Sequence, residues 1–244
     1  MFNLVGTAHA SAFWKDDRYG PLPALLLVLT MVSGIVDAIS YLKLGHVFVA
    51  NMTGNVVFLG FAIADPQNFS IPASLLAMGA FLTGAIAGGR LGLLFGRHRG
   101  RHMMYAIVIE IALVGVTLMA STSMIDLNGA TISYAIIALL ALMMGLQNAT
   151  ARRIGIPDLT TTVLTLTMTG LAADSNLAGA NNPNLWRRLA AIAAMFLGAA
   201  LGAFSVYHFG VGGALALALV PLVSAGIAAY RYSSSPAAWA VGVR

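Results

Sequence analysis

The sequence predicts an all-α polytopic membrane protein, with six transmembrane helices plus two short re-entrant or broken segments arranged as a 3+3 inverted repeat. Three observations carry that expectation: an apolar composition, an internal duplication and a one-sided distribution of basic residues. Of the 244 residues, 59% are hydrophobic and 9% are charged, whereas a soluble domain carries about 25% charged residues. Mean hydropathy is +0.86, so the lipid bilayer is the expected partner. The net charge of +5 comes from short basic clusters beside apolar runs, where it sets orientation against a membrane rather than binding nucleic acid. The absence of cysteine excludes disulfide frameworks, thiolate metal sites and cysteine nucleophiles. The stretch before Leu22 has no basic n-region, so no cleaved signal peptide is expected and the first helix serves as its own insertion signal.

The duplication is local and specific. Gly34-Ile-Val-Asp37-Ala38 returns as Gly145-Leu-Gln-Asn148-Ala149, 111 positions later. Each copy is followed by a polar-threaded apolar stretch that ends in Ala-Asp, at Asp65 and at Asp174. The Thr53/Thr162 and Asp65/Asp174 pairs are 109 apart, a two-residue slip between alignments. Residues 1–125 and 126–244 therefore read as two repeats of one membrane domain. Polar residues at matching places in duplicated apolar segments point to the binding site of a transporter.

A spanning helix needs about 20 apolar residues. Leu22 to Leu42 meets that length and carries Asp37 inside it. Val47 to Ala64 is shorter and holds Asn51, Thr53, Gly54, Asn55 and Gly60. Pro72 to Phe95 and Met104 to Met124 form a hairpin about Gly100 in the basic turn GRHRGRH. Thr131 to Ala149 repeats the first segment. Leu159 to Ala173 repeats the second, is short and rich in Thr, and follows Pro157. Leu189 to Phe209 and Val211 to Tyr230 complete the set.

Cytoplasmic loops collect Lys and Arg. With Arg90 set aside as intramembrane, eight full crossings divide the other 12 basic residues six against six. If the two short segments instead enter and leave on one side, every basic residue except Lys43 falls on the inner face, eleven against one. Both termini are then cytoplasmic, each half crosses three times, and the halves are inverted in a bacterial inner membrane. Eight full spans in a parallel repeat are the alternative.

Gly84, Gly88, Gly92 and Gly96 form a four-residue ladder, and Ala190, Ala194, Gly198 and Gly202 form another. Small residues at that spacing let helix backbones approach closely, either within the bundle or at a homodimer seam. Arg90 and Glu110 each lie ten positions from Gly100. Equal depth in a hairpin predicts a structural ion pair, since an unpaired charge in hydrocarbon costs several kcal/mol. The five histidines are scattered, no H-E-x-x-H accompanies them, and neither metal nor cofactor is expected. His98 and His102 read as headgroup-facing, and the Met and aromatic residues read as apolar filler.

Asp37 needs a partner, a cation or water at membrane depth. Its counterpart Asn148 keeps the shape and loses the charge. Glycines in one short segment and Pro157 before the other break the helix and free backbone groups, which is tolerated where protein or a water-filled cavity satisfies them. Half-helix N-termini and hydroxyls there can hold a solute, whereas a lone Thr often only bonds its own backbone. The candidate binding set is Asp37, Tyr41, Asn51, Thr53 and Asn55 from the first half. Gln147, Asn148, Arg152, Asp158, Thr161, Thr162 and Thr165 come from the second.

At these residues the chain resembles the YoaK-like family of predicted bacterial membrane proteins. The resemblance rests on G-x-x-D-A-x-S-Y-L with V-F-V-A-N-M-T-G-N, from Gly34 to Asn55, and on G-x-Q-N-A with T-T-V-x-T, from Gly145 to Thr165. It implies a multi-spanning bacterial membrane protein and supplies no substrate. The residues themselves predict a small-solute secondary transporter with a site between the repeats near the midplane, proton- or cation-coupled through Asp37. A passive channel and a non-transporting membrane assembly protein are the alternatives. An enzyme is not expected, because Cys, H-E-x-x-H and paired intramembrane carboxylates with an obvious water site are missing from the sequence pattern.

Overall fold

A computed structural model describes residues 18–64, 69–122, 129–182 and 184–241. Lys15, Asp65, Met124 and Arg244, used in the sequence argument, lie outside the described residues. Helix α1 (Leu22–Lys43) starts with a proline in its first turn, where a missing N–H costs nothing. The 13-residue α2 (Met52–Ala64) follows. Helix α3 (Ile71–Phe95) is capped by the Ser70 hydroxyl, which accepts from the Ala73 N–H at 3.3 Å, satisfying one of the orphan donors of a helix start. Helices α4 (Arg99–Thr122), α5 (Gly129–Ile154) and the 10-residue α6 (Leu164–Ala173) come next. The last helical stretch, Leu185–Tyr232, has 48 residues and breaks at Gly210, with φ 71° and ψ −172°, a conformation open to glycine and strained for a side chain. Its two parts are α7 (185–209) and α8 (211–232), meeting where the seventh and eighth predicted apolar segments meet.

Among the described residues the fold is all-helical, without β-strands. Five helices, counting Leu185–Tyr232 once, are long and apolar enough to cross a membrane. Large apolar side chains such as Leu82, Ile86, Leu93, Phe196 and Phe204 are exposed on the outside of the bundle. Patches of that kind mark a surface covered by lipid or protein, and with the apolar helices they make this a multi-pass membrane protein.

The core is two glycine seams. Gly198 meets Met31, and Gly202 meets Ile35 and Ala38, so α7 closes on α1. Gly84 meets Leu142, and Gly88 meets Leu146 and Ala149, so α3 closes on α5. Met31/Leu142, Ile35/Leu146 and Ala38/Ala149 are each 111 apart, and Gly84/Gly198 and Gly88/Gly202 are each 114 apart. The seams are thus equivalent, each joining the first helix of one half to the third helix of the other. A Cβ at Gly84 or Gly198 would run into a backbone carbonyl, which explains the small residues. These ladder positions are occupied inside the chain. Gly92 and Gly96 face the Arg153 side chain instead of a second backbone.

The ends of the bundle differ in charge. Arg187 lies over the Tyr19 ring, 5.4 Å from its centre. The Trp239 ring sits against Gly20, the Arg99 N–H donates to the Ala240 carbonyl at 2.7 Å, and Arg101 Nε donates to the Ser233 carbonyl at 3.3 Å. The starts of α1, α4 and α7 therefore share one end with the finish of α8, and Arg153 brings the finish of α5 there too. Lys43 lies with the far end of α7, its ammonium 5.8 Å from the Tyr207 ring centre.

The expected Arg90–Glu110 ion pair does not form. Glu110 is fully buried and neither carboxylate oxygen has a hydrogen-bond partner among the described residues, while Arg90 is exposed. Equal depth was not sufficient: Arg90 stands two residues from Gly88 and from Gly92, both of which face α5. Two residues turn a helix by about 200°, so Arg90 points away from the bundle. His102 is also buried rather than headgroup-facing, beside Gly92.

Candidate functional site

Both short helices are reached by connections that fold back into the bundle. After Lys43 the chain turns through Gly45 (φ 99°) and His46 (φ 56°), and residues 47–51 run back beside α1. Asp37 Oδ1 accepts from the Val49 N–H at 3.0 Å and the Ala50 N–H at 2.8 Å. Asp37 lies six residues before the end of α1, so the chain has returned by about 9 Å. In the second half the turn after Ile154 uses Gly155 (φ 67°), 109 positions from His46. The Thr162 hydroxyl donates to Asn148 Oδ1 at 2.5 Å, and Asn148 is again six residues before the helix end. Asn148 Nδ2 donates to its own helix at the Met144 carbonyl, 2.8 Å. In the first half the irregular backbone is thus satisfied in part by the Asp37 carboxylate, as buried backbone groups away from water require.

Between the two returns lies a cavity of about 840 Å³. Asp37, Tyr41, Asn51 and Thr53 line it from the first half, and Asn148, Thr162 and Thr165 from the second. Phe81 of α3 and Met195, Ala199 and Ala203 of α7 close it. Among the described residues lining it, Asp37 is the only charged one. One wall is aromatic: Tyr41 stacks on Phe48 at 5.0 Å between ring centres, and Phe48 on Phe58 at 5.7 Å. Reading the aromatic residues as filler therefore missed this wall. A cluster of rings at the start of the second apolar segment was its only signal.

Five predicted site residues stand elsewhere. Asn55 is buried and clamps the connection, accepting from the Phe48 N–H at 2.9 Å and donating to the Phe48 carbonyl at 2.6 Å. Gln147 points into the α1–α5 contact, where Nε2 donates to the Ser33 hydroxyl at 2.9 Å; it is one residue, about 100°, around the helix from Asn148. Arg152 is exposed at the end of α5. Thr161 is buried with φ 64°, and its hydroxyl has no hydrogen-bond partner among the described residues. Asp158 (φ 65°) is held by α7: Arg188 Nε is 3.1 Å from Oδ1, and Asn184 Nδ2 donates to Oδ2 at 2.9 Å.

Arg188 is the residue that charge counting assigned only to orientation. Its guanidinium also donates to the Gly170 carbonyl and pairs with Asp174 Oδ2 at 2.6 Å. It ties the start and the finish of the second folded-back tract to the first turn of α7. The bracketing of that tract by Asp158 and Asp174, with a basic pair soon after, was the available signal.

No solved structure matches the chain. The UPF0700 transmembrane protein YoaK of Bacillus subtilis (strain 168) is 35% identical over 150 residues, 62% of this chain and 65% of that protein's length. The motif resemblance around Asp37 and Asn148 is consistent with that relative. Residues 25–230 match the family described as "Protein of unknown function (DUF1275)", so the chain belongs to that family.

Proposed function

We propose that this protein is a small-solute secondary transporter of a bacterial inner membrane, with six crossings, inverted halves and cytoplasmic termini. The observation that carries this reading is the cavity between two folded-back tracts, lined by the equivalent residues Asp37 and Asn148. A site at the repeat interface, built where helices are interrupted, is the arrangement used by carriers that expose one site alternately to two sides. Asp37 gives that site a group able to hold a coupling proton or cation. Topology is supported by the shared basic end. Eight crossings would put residues 101 and 233 at opposite ends, yet they are joined by a hydrogen bond. Gly210 divides a stretch of 48 residues that would otherwise run about 72 Å, more than twice the hydrocarbon thickness of about 30 Å.

Topology is checked by labelling Asn68→Cys and Asn182→Cys from outside the cell: the first should react and the second stay protected. Labelling of both from one side sinks the inverted arrangement. Transport is checked in proteoliposomes with a solute found by thermal-shift screening, where saturable, gradient-driven accumulation is expected without unitary currents. Asp37→Asn should lose gradient-driven accumulation. Unitary currents in the reconstituted protein would make it a channel.

A further inference from the structure

The chemistry of the cavity wall selects the sign of the solute. Resting on the transporter reading above, we propose that the solute is a small organic cation, held with its charge against Asp37 and its body against Tyr41, Phe48 and Phe58. Among the described residues lining the cavity there is one carboxylate and no Lys, Arg or His. An anion would meet the Asp37 carboxylate with no side-chain cation beside it, between largely apolar walls where Coulomb repulsion is weakly screened. The Arg188 guanidinium, which holds the second tract, is already paired with Asp158 and Asp174 and does not line the cavity.

A helix start can attract an anion, but at the start of α2 the Gly54 N–H is already taken by Asn51, and the Val49 and Ala50 N–H groups that precede it are taken by Asp37. A bare metal ion is a poor fit on two grounds. A volume of about 840 Å³ belongs with organic ligands, whose pockets run about 300–1,000 Å³. Among the described residues, moreover, no group of three or more His, Cys, Asp or Glu gathers. An organic cation uses what is present: the carboxylate answers its charge, and the ring wall of Tyr41, Phe48 and Phe58 buries its carbon. Asn51, Thr53, Asn148 and Thr162 leave hydrogen-bonding capacity for a polar substituent.

The test uses the full-length purified protein and three probes of similar size: benzyltrimethylammonium, benzyl alcohol and benzoate. Saturable stabilisation by the ammonium probe is expected, with benzoate inert. Asp37→Asn should weaken the ammonium probe at least about tenfold, and Phe58→Leu about three- to tenfold. Should Asp37→Asn fail to fold, Asn148→Asp decides, since a second carboxylate across the cavity should tighten cation binding. Benzoate binding as well as the ammonium, no saturable effect of the ammonium, or weaker cation binding in Asn148→Asp would each overturn the proposal. The two readings fail separately in proteoliposomes. Cation binding without cation flux sinks the transporter and leaves the charge class, whereas accumulation of an anion or a neutral solute keeps the transporter and sinks the charge class.

Discussion

The first and second folded-back tracts have one geometry and two chemistries. Each leaves its helix through a left-handed residue, His46 or Gly155, and returns six residues along it, to Asp37 or Asn148. In the first half a carboxylate inside the cavity accepts two backbone N–H groups, and rings cover one wall. In the second a hydroxyl–amide bond marks the cavity side, and the holding force sits outside it, in Arg188 with Asp158 and Asp174. Duplication conserved the path of the chain and let the charge diverge. The first tract meets its charge on the cavity wall, at Asp37, and the second carries its charges off the wall, where Arg188 ties the tract down.

The largest expected effect separates those two roles. Arg188→Ala leaves Asp158 and Asp174 without their partner; Asp158 is 14% exposed and Asp174 46%. Loss of a buried partner costs about 3–5 kcal/mol, which the exposure of Asp174 lowers to about 2–3 kcal/mol. Denaturant unfolding measures the loss, hydrogen exchange over residues 158–174 locates it, and Arg188→Lys should recover only part, because a single ammonium cannot serve both carboxylates and a carbonyl. A cost under about 1 kcal/mol would mean that the clamp does not hold the tract.

Next comes the difference between the two helix positions. Asp37→Ala strands two backbone donors and should cost about 2–3 kcal/mol, while Asn148→Ala removes one hydroxyl partner and should cost about 1 kcal/mol. Equal losses would show that the first tract is not hung on its carboxylate.

The smallest effect is an expected equality. Gly84→Ala and Gly198→Ala both drive a methyl into a backbone carbonyl of the facing helix, and each should cost about 1–3 kcal/mol. Because the seams are equivalent, the two losses should agree to within about 0.5 kcal/mol in the same unfolding assay. Unequal losses would mean that one seam can give way where the other cannot.

The sequence by itself determined the helical membrane class, the duplication, the two short polar segments and the break between the last two apolar runs at Gly210. These are local or periodic properties: apolar run length sets what can span a bilayer, and only glycine takes the Gly210 conformation without strain. It also put Asp37, Tyr41, Asn51, Thr53, Asn148, Thr162 and Thr165 in one candidate set, and they line one cavity. Tertiary structure decided the rest. Whether Arg90 meets Glu110, whether Gln147 or Asn148 faces the cavity, and whether Arg188 anchors lipid or a folded-back tract all depend on helix rotation. A change of one residue rotates a side chain by about 100°, and that angle is set by the glycine seams between distant helices rather than by spacing along the chain.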